Sequence, residues 1–79
     1  MPLSENANVY REKILAEIQR LGHNVTRWRT GDEWQEFSGL SDMQFMGAST
    51  ELKRYDPTLS LETKENSRPQ VRRWKTVQP

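Results

Sequence analysis

The chain has no cysteine, a single histidine and no long apolar run. Without cysteine there is neither a disulfide framework nor a thiolate metal site, so a fold of this size is held by packing alone or by a partner. The lack of a long apolar stretch argues against a membrane-spanning helix and a secretory leader, and a cytosolic or particle-associated protein with no membrane role is expected. The one histidine, His23, follows Gly22 at an expected helix end, where an imidazolium suits the terminal carbonyls. Carboxylates alternate with basic residues and do not cluster at ligand spacing. Gly22, Gly31, Gly39 and Gly47 are too far apart to cradle a phosphate. These shortages predict a protein that is not an enzyme, with no cofactor and no metal.

What is present is one small domain's worth of sequence. The chain has 79 residues, 33% of them hydrophobic and 29% charged, so any core is minimal. A formal charge of +1 conceals an uneven distribution. Residues 1–56 hold seven basic and nine acidic side chains, whereas 57–79 hold five basic and two acidic.

Ala7, Tyr10, Ile14, Ile18 and Leu21 recur every three or four residues, and this spacing predicts an amphipathic helix over about 5–21. Ser4 or Asn6 is placed to cap it, and Gly22 to stop it. Val25 to Thr30 and Glu33 to Ser38 flank Gly31-Asp32, a pattern that predicts a β-hairpin with a two-residue loop. In that register Thr26, Trp28 and Phe37 cover the core. Arg27, Arg29, Trp34 and Glu36 face solvent, which makes Trp34 a candidate for partner contact. Ser41-Asp42-Met43-Gln44 is a capping-box pattern, and Phe45, Ala48, Leu52 and Tyr55 continue at helical spacing until Asp56-Pro57 ends the helix. From Thr58 onward the periodicity fails. Residues 57–79 are therefore expected to be a flexible basic tail, with Arg68, Val71, Arg72, Arg73, Trp74, Lys75 and Val77 as its contact residues. The expected fold class is α+β: a helix, a two-stranded antiparallel hairpin and a helix within 1–56, followed by that tail.

This layout resembles the small head-completion, or head–tail joining, proteins of tailed bacteriophages typified by the phage lambda W protein. The residues carrying the resemblance are Trp28 in the first strand, Gly31-Asp32 at the turn, Glu36-Phe37-Ser38 closing the second strand, and Ser41-Asp42-Met43 opening the helix. The resemblance implies a structural virion protein that closes the DNA-filled head and joins it to the tail, with no cofactor. It also implies a monomer in solution that becomes a ring at the portal vertex, with the portal ring and tail-joining proteins as partners. The location implied is the head–tail joint, reached from the host cytoplasm during assembly. The basic tail would touch protein or, non-specifically, DNA. The alternative reading is a small prophage-encoded nucleic-acid-binding regulator. Against it, the helix over 41–55 carries only Lys53 and Arg54 as cations, few for a helix that reads a groove.

Overall fold

Helical spacing of Ala7, Tyr10, Ile14 and Ile18 becomes the buried stripe of α1 (Glu5–Leu21) in the computed structural model, which describes residues 2–77. The Ser4 hydroxyl accepts from the Ala7 amide at 3.2 Å, and Gly22 closes the helix at φ 72°, where its amide donates to Ile18 and Gln19.

The chain then runs extended. Residues 24–26 lie against the last strand, with the Thr26 amide donating to the Trp74 carbonyl at 2.9 Å and the Thr76 amide to the Asn24 carbonyl at 2.9 Å. The short β1 (Arg29–Thr30) continues that line.

Here the structure departs from the expected hairpin. Residues 31–38 are not its second strand but α2 (Gly31–Ser38). The cause is local: Thr30-Gly31-Asp32-Glu33 is itself a capping box. The Thr30 hydroxyl accepts from the Glu33 amide at 3.2 Å, and the Glu33 carboxylate accepts from the Thr30 amide at 2.9 Å. Helical spacing turns Trp34, Phe37 and Ser38 to one side: Thr26 and Phe37 face the core as expected, but the two tryptophans exchange places. Trp34 enters the core at 1% exposure, while half-buried Trp28 lies beneath Arg73, the neighbour of core-facing Trp74 in its strand. A helix this short depends on its cap. Thr30→Ala is expected to cost about 1 kcal/mol, read as a lower urea midpoint with unchanged m-value.

Residues 39–41 turn the chain into α3 (Asp42–Tyr55), which starts from the Ser41 capping box and ends before Asp56. Asp56 fastens this end to α1, accepting from Arg11 Nε at 2.7 Å as well as from the amide and hydroxyl of Thr58.

The segment expected to be a flexible tail supplies β2 (Leu59–Thr63) and β3 (Val71–Thr76). The three strands are antiparallel in the order β1-β3-β2, with Leu61 opposite Trp74 and Leu59 opposite Thr76. Thus the fold class is α+β, with three helices and a three-stranded sheet among the described residues rather than a two-stranded hairpin between two helices. The last two residues of the expected tail lie outside the described residues. Tyr10 stands at the centre of the core, its ring 5.9 Å from Trp74, 5.5 Å from Phe45 and 6.3 Å from Trp34. A tail with one tryptophan and two valines is ordered here because Trp74 joins Tyr10, Ile14 and Leu52 in one buried cluster.

Candidate functional site

The helices α2 and α3 are joined by Gly39-Leu40-Ser41, a turn secured from several sides. Gly39 adopts φ 72°, which glycine alone takes without strain, and a Cβ there would meet Lys13 Nζ at 3.1 Å. That same Lys13 ammonium donates to the Ser38 carbonyl at 3.0 Å, fixing the turn to α1. The Leu40 amide donates to the Ser38 hydroxyl at 3.1 Å, and the Gln35 amide nitrogen bridges to Asp42 across the corner.

Pinned at both ends, α3 packs one stripe inward and leaves the opposite one open. Phe45, Ala48 and Leu52 contribute to the core. Met43, Met46, Gly47, Thr50 and Arg54 lie along the exposed side, with Met43 85% and Met46 68% exposed. Lys53 and Arg54 occupy the last turn of the helix.

The loop 64–70 between β2 and β3 is a compact projection. The Ser67 hydroxyl donates to the Lys64 carbonyl and accepts from the Val71 amide, both at 3.0 Å, while Asn66 takes φ 63° and the Arg68–Pro69 peptide is cis. Lys64, Arg68 and Gln70 are exposed on it.

The residues singled out from sequence divide into three groups. Trp34 and Trp74 are consumed by the core: Trp34 Nε1 donates to the Arg72 carbonyl at 2.8 Å and Trp74 Nε1 to the Tyr10 hydroxyl at 2.9 Å. Neither offers surface to a partner, which corrects their reading as contact residues. Val71 pairs with Thr30, and Arg72 and Arg73 are half-buried. Arg73 bonds Glu62 at 3.3 Å and covers Trp28 at 4.2 Å from the ring centroid, and Arg72 reaches Gln70 at 3.4 Å. Arg68, Lys75 and Val77 are exposed. Met43, Met46 and Lys64 were not among the expected contact residues. The methionines could have been found from their place opposite Phe45, Ala48 and Leu52 on the helical wheel, whereas Lys64 gains meaning only once the tail is a hairpin.

Displaced titrations coincide with structural contacts. Hydrogen bonds from Arg29 hold the Glu17 carboxyl below the usual range, against the opposing effect of burial. Burial pushes Asp56 up, but the bonds from Thr58 and Arg11 outweigh it and its pKa is lowered. Bonds to the Thr30 amide and hydroxyl lower Glu33, and burial raises the Tyr10 phenol. An open depression of about 650 Å³ on α1 is lined by Glu5, Asn8, Val9, Glu12 and Lys13, all from one helix. Among the described residues no three His, Cys, Asp or Glu side chains converge on a metal position, and no helix is long and apolar enough to cross a membrane. Comparison with protein-family models, with characterised proteins and with solved structures finds no match to this chain.

Proposed function

We propose that the chain is a small DNA-binding protein. In this reading α2, its turn and α3 form a helix-turn-helix, and the β2–β3 loop serves as a wing on the phosphate backbone. The observation that carries it is the three-residue, glycine-containing turn joining α2 to a helix whose outer face is left uncovered, a connection of the length found in helix-turn-helix units, whose second helix enters a major groove. With 14 residues, α3 is about 21 Å long, and its width suits a groove of about 12 Å. The scarcity of cations on this helix is offset by the ordered hairpin. Residues 53–75 hold seven basic and three acidic side chains, with Lys53, Arg54, Lys64, Arg68 and Lys75 all exposed. RNA duplexes suit the geometry less well, because side chains do not reach into their deep, narrow major groove.

The head–tail joining reading rests in part on a hairpin over 25–38 and in part on the Ser41-Asp42-Met43 helix start, which α3 has. With β1 and α2 in the hairpin's place, that reading has less to stand on, and it becomes the competing outcome of the test.

If Lys53, Arg54, Lys64 and Arg68 each neutralise one phosphate, log K falls against log salt with a slope of about −3.6. A fourfold rise in salt then weakens binding roughly a hundredfold. Fluorescence anisotropy on a duplex of about two helical turns measures this. Arg68→Gln and Lys64→Gln should each reduce the slope by about 0.9. A folded protein that binds no duplex at low salt, or whose binding ignores salt, would remove the proposal.

A further inference from the structure

We infer that α3 selects A·T-rich duplex DNA by laying Met43 and Met46 against thymine C5-methyl groups, an inference that rests on the DNA-binding reading above. The first nine of the 14 residues of α3, 42–50, contain no lysine or arginine, the usual donors to guanine. Three of the polar side chains bordering the open face, Asp42, Gln44 and Glu51, are already engaged. Gln44 accepts from the Ser41 amide at 3.1 Å through the carbonyl that pairing with adenine would need for its N6 donor, and Asp42 accepts from Gln35. Glu51, the next acid along, is held by the amide and hydroxyl of Ser4. What remains exposed is Met43, Met46, Gly47 and Thr50. Of the direct contacts open to such a set, apolar contact with the thymine methyl is the one it fits. Methionine's unbranched, polarisable chain adapts to that surface.

Gly47 adds a separate observation. It lies within the helix, where glycine is disfavoured, yet a Cβ there would meet nothing within 4 Å, so packing does not demand it. Between Met46 and Thr50 its bare Cα lets the helix sit closer to the groove floor.

Charge complementarity favours DNA as the occupant over a second copy. The apolar stretch continues into exposed Lys53 and Arg54, and the β2–β3 loop adds exposed Lys64 and Arg68, all of one sign and complementary to a phosphate backbone.

The test compares an alternating A/T duplex of about two turns with the same duplex carrying uracil for thymine. Wild type should bind the uracil duplex about fourfold more weakly for each methyl contacted. Met43→Ala/Met46→Ala, altering exposed positions, should keep its circular dichroism and lose the distinction between the two duplexes. Gly47→Ala should melt at higher temperature yet bind the thymine duplex more weakly. Equal binding of both duplexes by wild type, or an undiminished uracil penalty in the double variant, overturns methyl readout while leaving DNA binding intact. Failure to bind any duplex overturns both readings. Self-association abolished by the double variant, without a uracil effect, would assign the face to a second copy instead.

Discussion

Deleting residues 68–77 is expected to unfold the domain rather than release a mobile arm. The deletion removes β3, the middle strand, and leaves β1 and β2 with no partner between them. It also removes Trp74, whose ring is fully buried at 0% exposure, whose indole donates to Tyr10 and whose backbone exchanges hydrogen bonds with Thr26. The point variant Trp74→Ala isolates the side chain. Large-to-small replacement of a buried tryptophan costs about 3–5 kcal/mol, against a total of about 5–15 kcal/mol for ordinary domains, of which the smallest sit at the low end. The expected result is loss of the cooperative thermal transition by circular dichroism. Trp74→Phe should be milder, since it keeps an aromatic ring and loses the N–H bond to Tyr10. A deletion variant with wild-type helicity and melting temperature would mean that β3 contributes nothing to the fold.

The second large effect is expected at Glu17. Its carboxylate is 1% exposed and receives Arg29 through two bonds of 2.6 and 2.7 Å, with a third from the Arg27 amide at 3.0 Å. The Arg29 guanidinium is wedged over Trp34 at 4.6 Å and Phe37 at 4.3 Å from the ring centroids. Glu17→Ala strands that cation against two aromatic faces, and breaking a buried pair in this way costs about 3–5 kcal/mol. Replacing both partners, as in Glu17→Leu with Arg29→Leu, should cost clearly less than either single change, because no uncompensated charge remains.

The same pair sets a pH dependence. Because the folded Glu17 pKa lies below its ordinary 4.5, the unfolded chain binds the proton more readily, and stability rises with pH across that interval. The contribution is complete above about 4.5 and is lost as pH falls through the lowered folded value. Asp56 follows the same sign from its ordinary 3.8. Urea titrations from pH 7 downward should show the loss beginning below about 4.5. Glu17→Gln should show a shallower acid slope, and an unchanged slope would remove the carboxylate from the account.

The elements legible in the sequence were those whose ends are marked by local chemistry. α1 is bracketed by Ser4 and Gly22, and α3 by the Ser41 capping box and Asp56-Pro57, so local hydrogen-bonding chemistry located both. α2 carried the same signal in Thr30 and Glu33. It was masked by Gly31-Asp32, which suits a hairpin loop equally well, and by the aromatic and threonine content around it. β2 and β3 were missed for a different reason. Their stabilising partners are distant in sequence, with Trp74 meeting Tyr10 and Thr26, and no local period records such a contact. Along β3 two of the side chains flanking Trp74 are arginines, and Arg73 finds its place only when Glu62 and Trp28 are beside it. Lys53 and Arg54 were visible as cations on a helix, but the β2–β3 hairpin was hidden inside an apparently unfolded tail.

The central place of β3 in the sheet also bears on how the molecule is made. As the polypeptide leaves the ribosome, α1, α2 and α3 emerge before residues 71–76, and their apolar faces have no Trp74 to close upon. Pairing of Arg29 with Arg72 must wait for nearly the whole described sequence to clear the exit tunnel. Without β3 the sheet has no central strand and the core no Trp74, so folding during synthesis is expected to complete only once residues 71–76 are available.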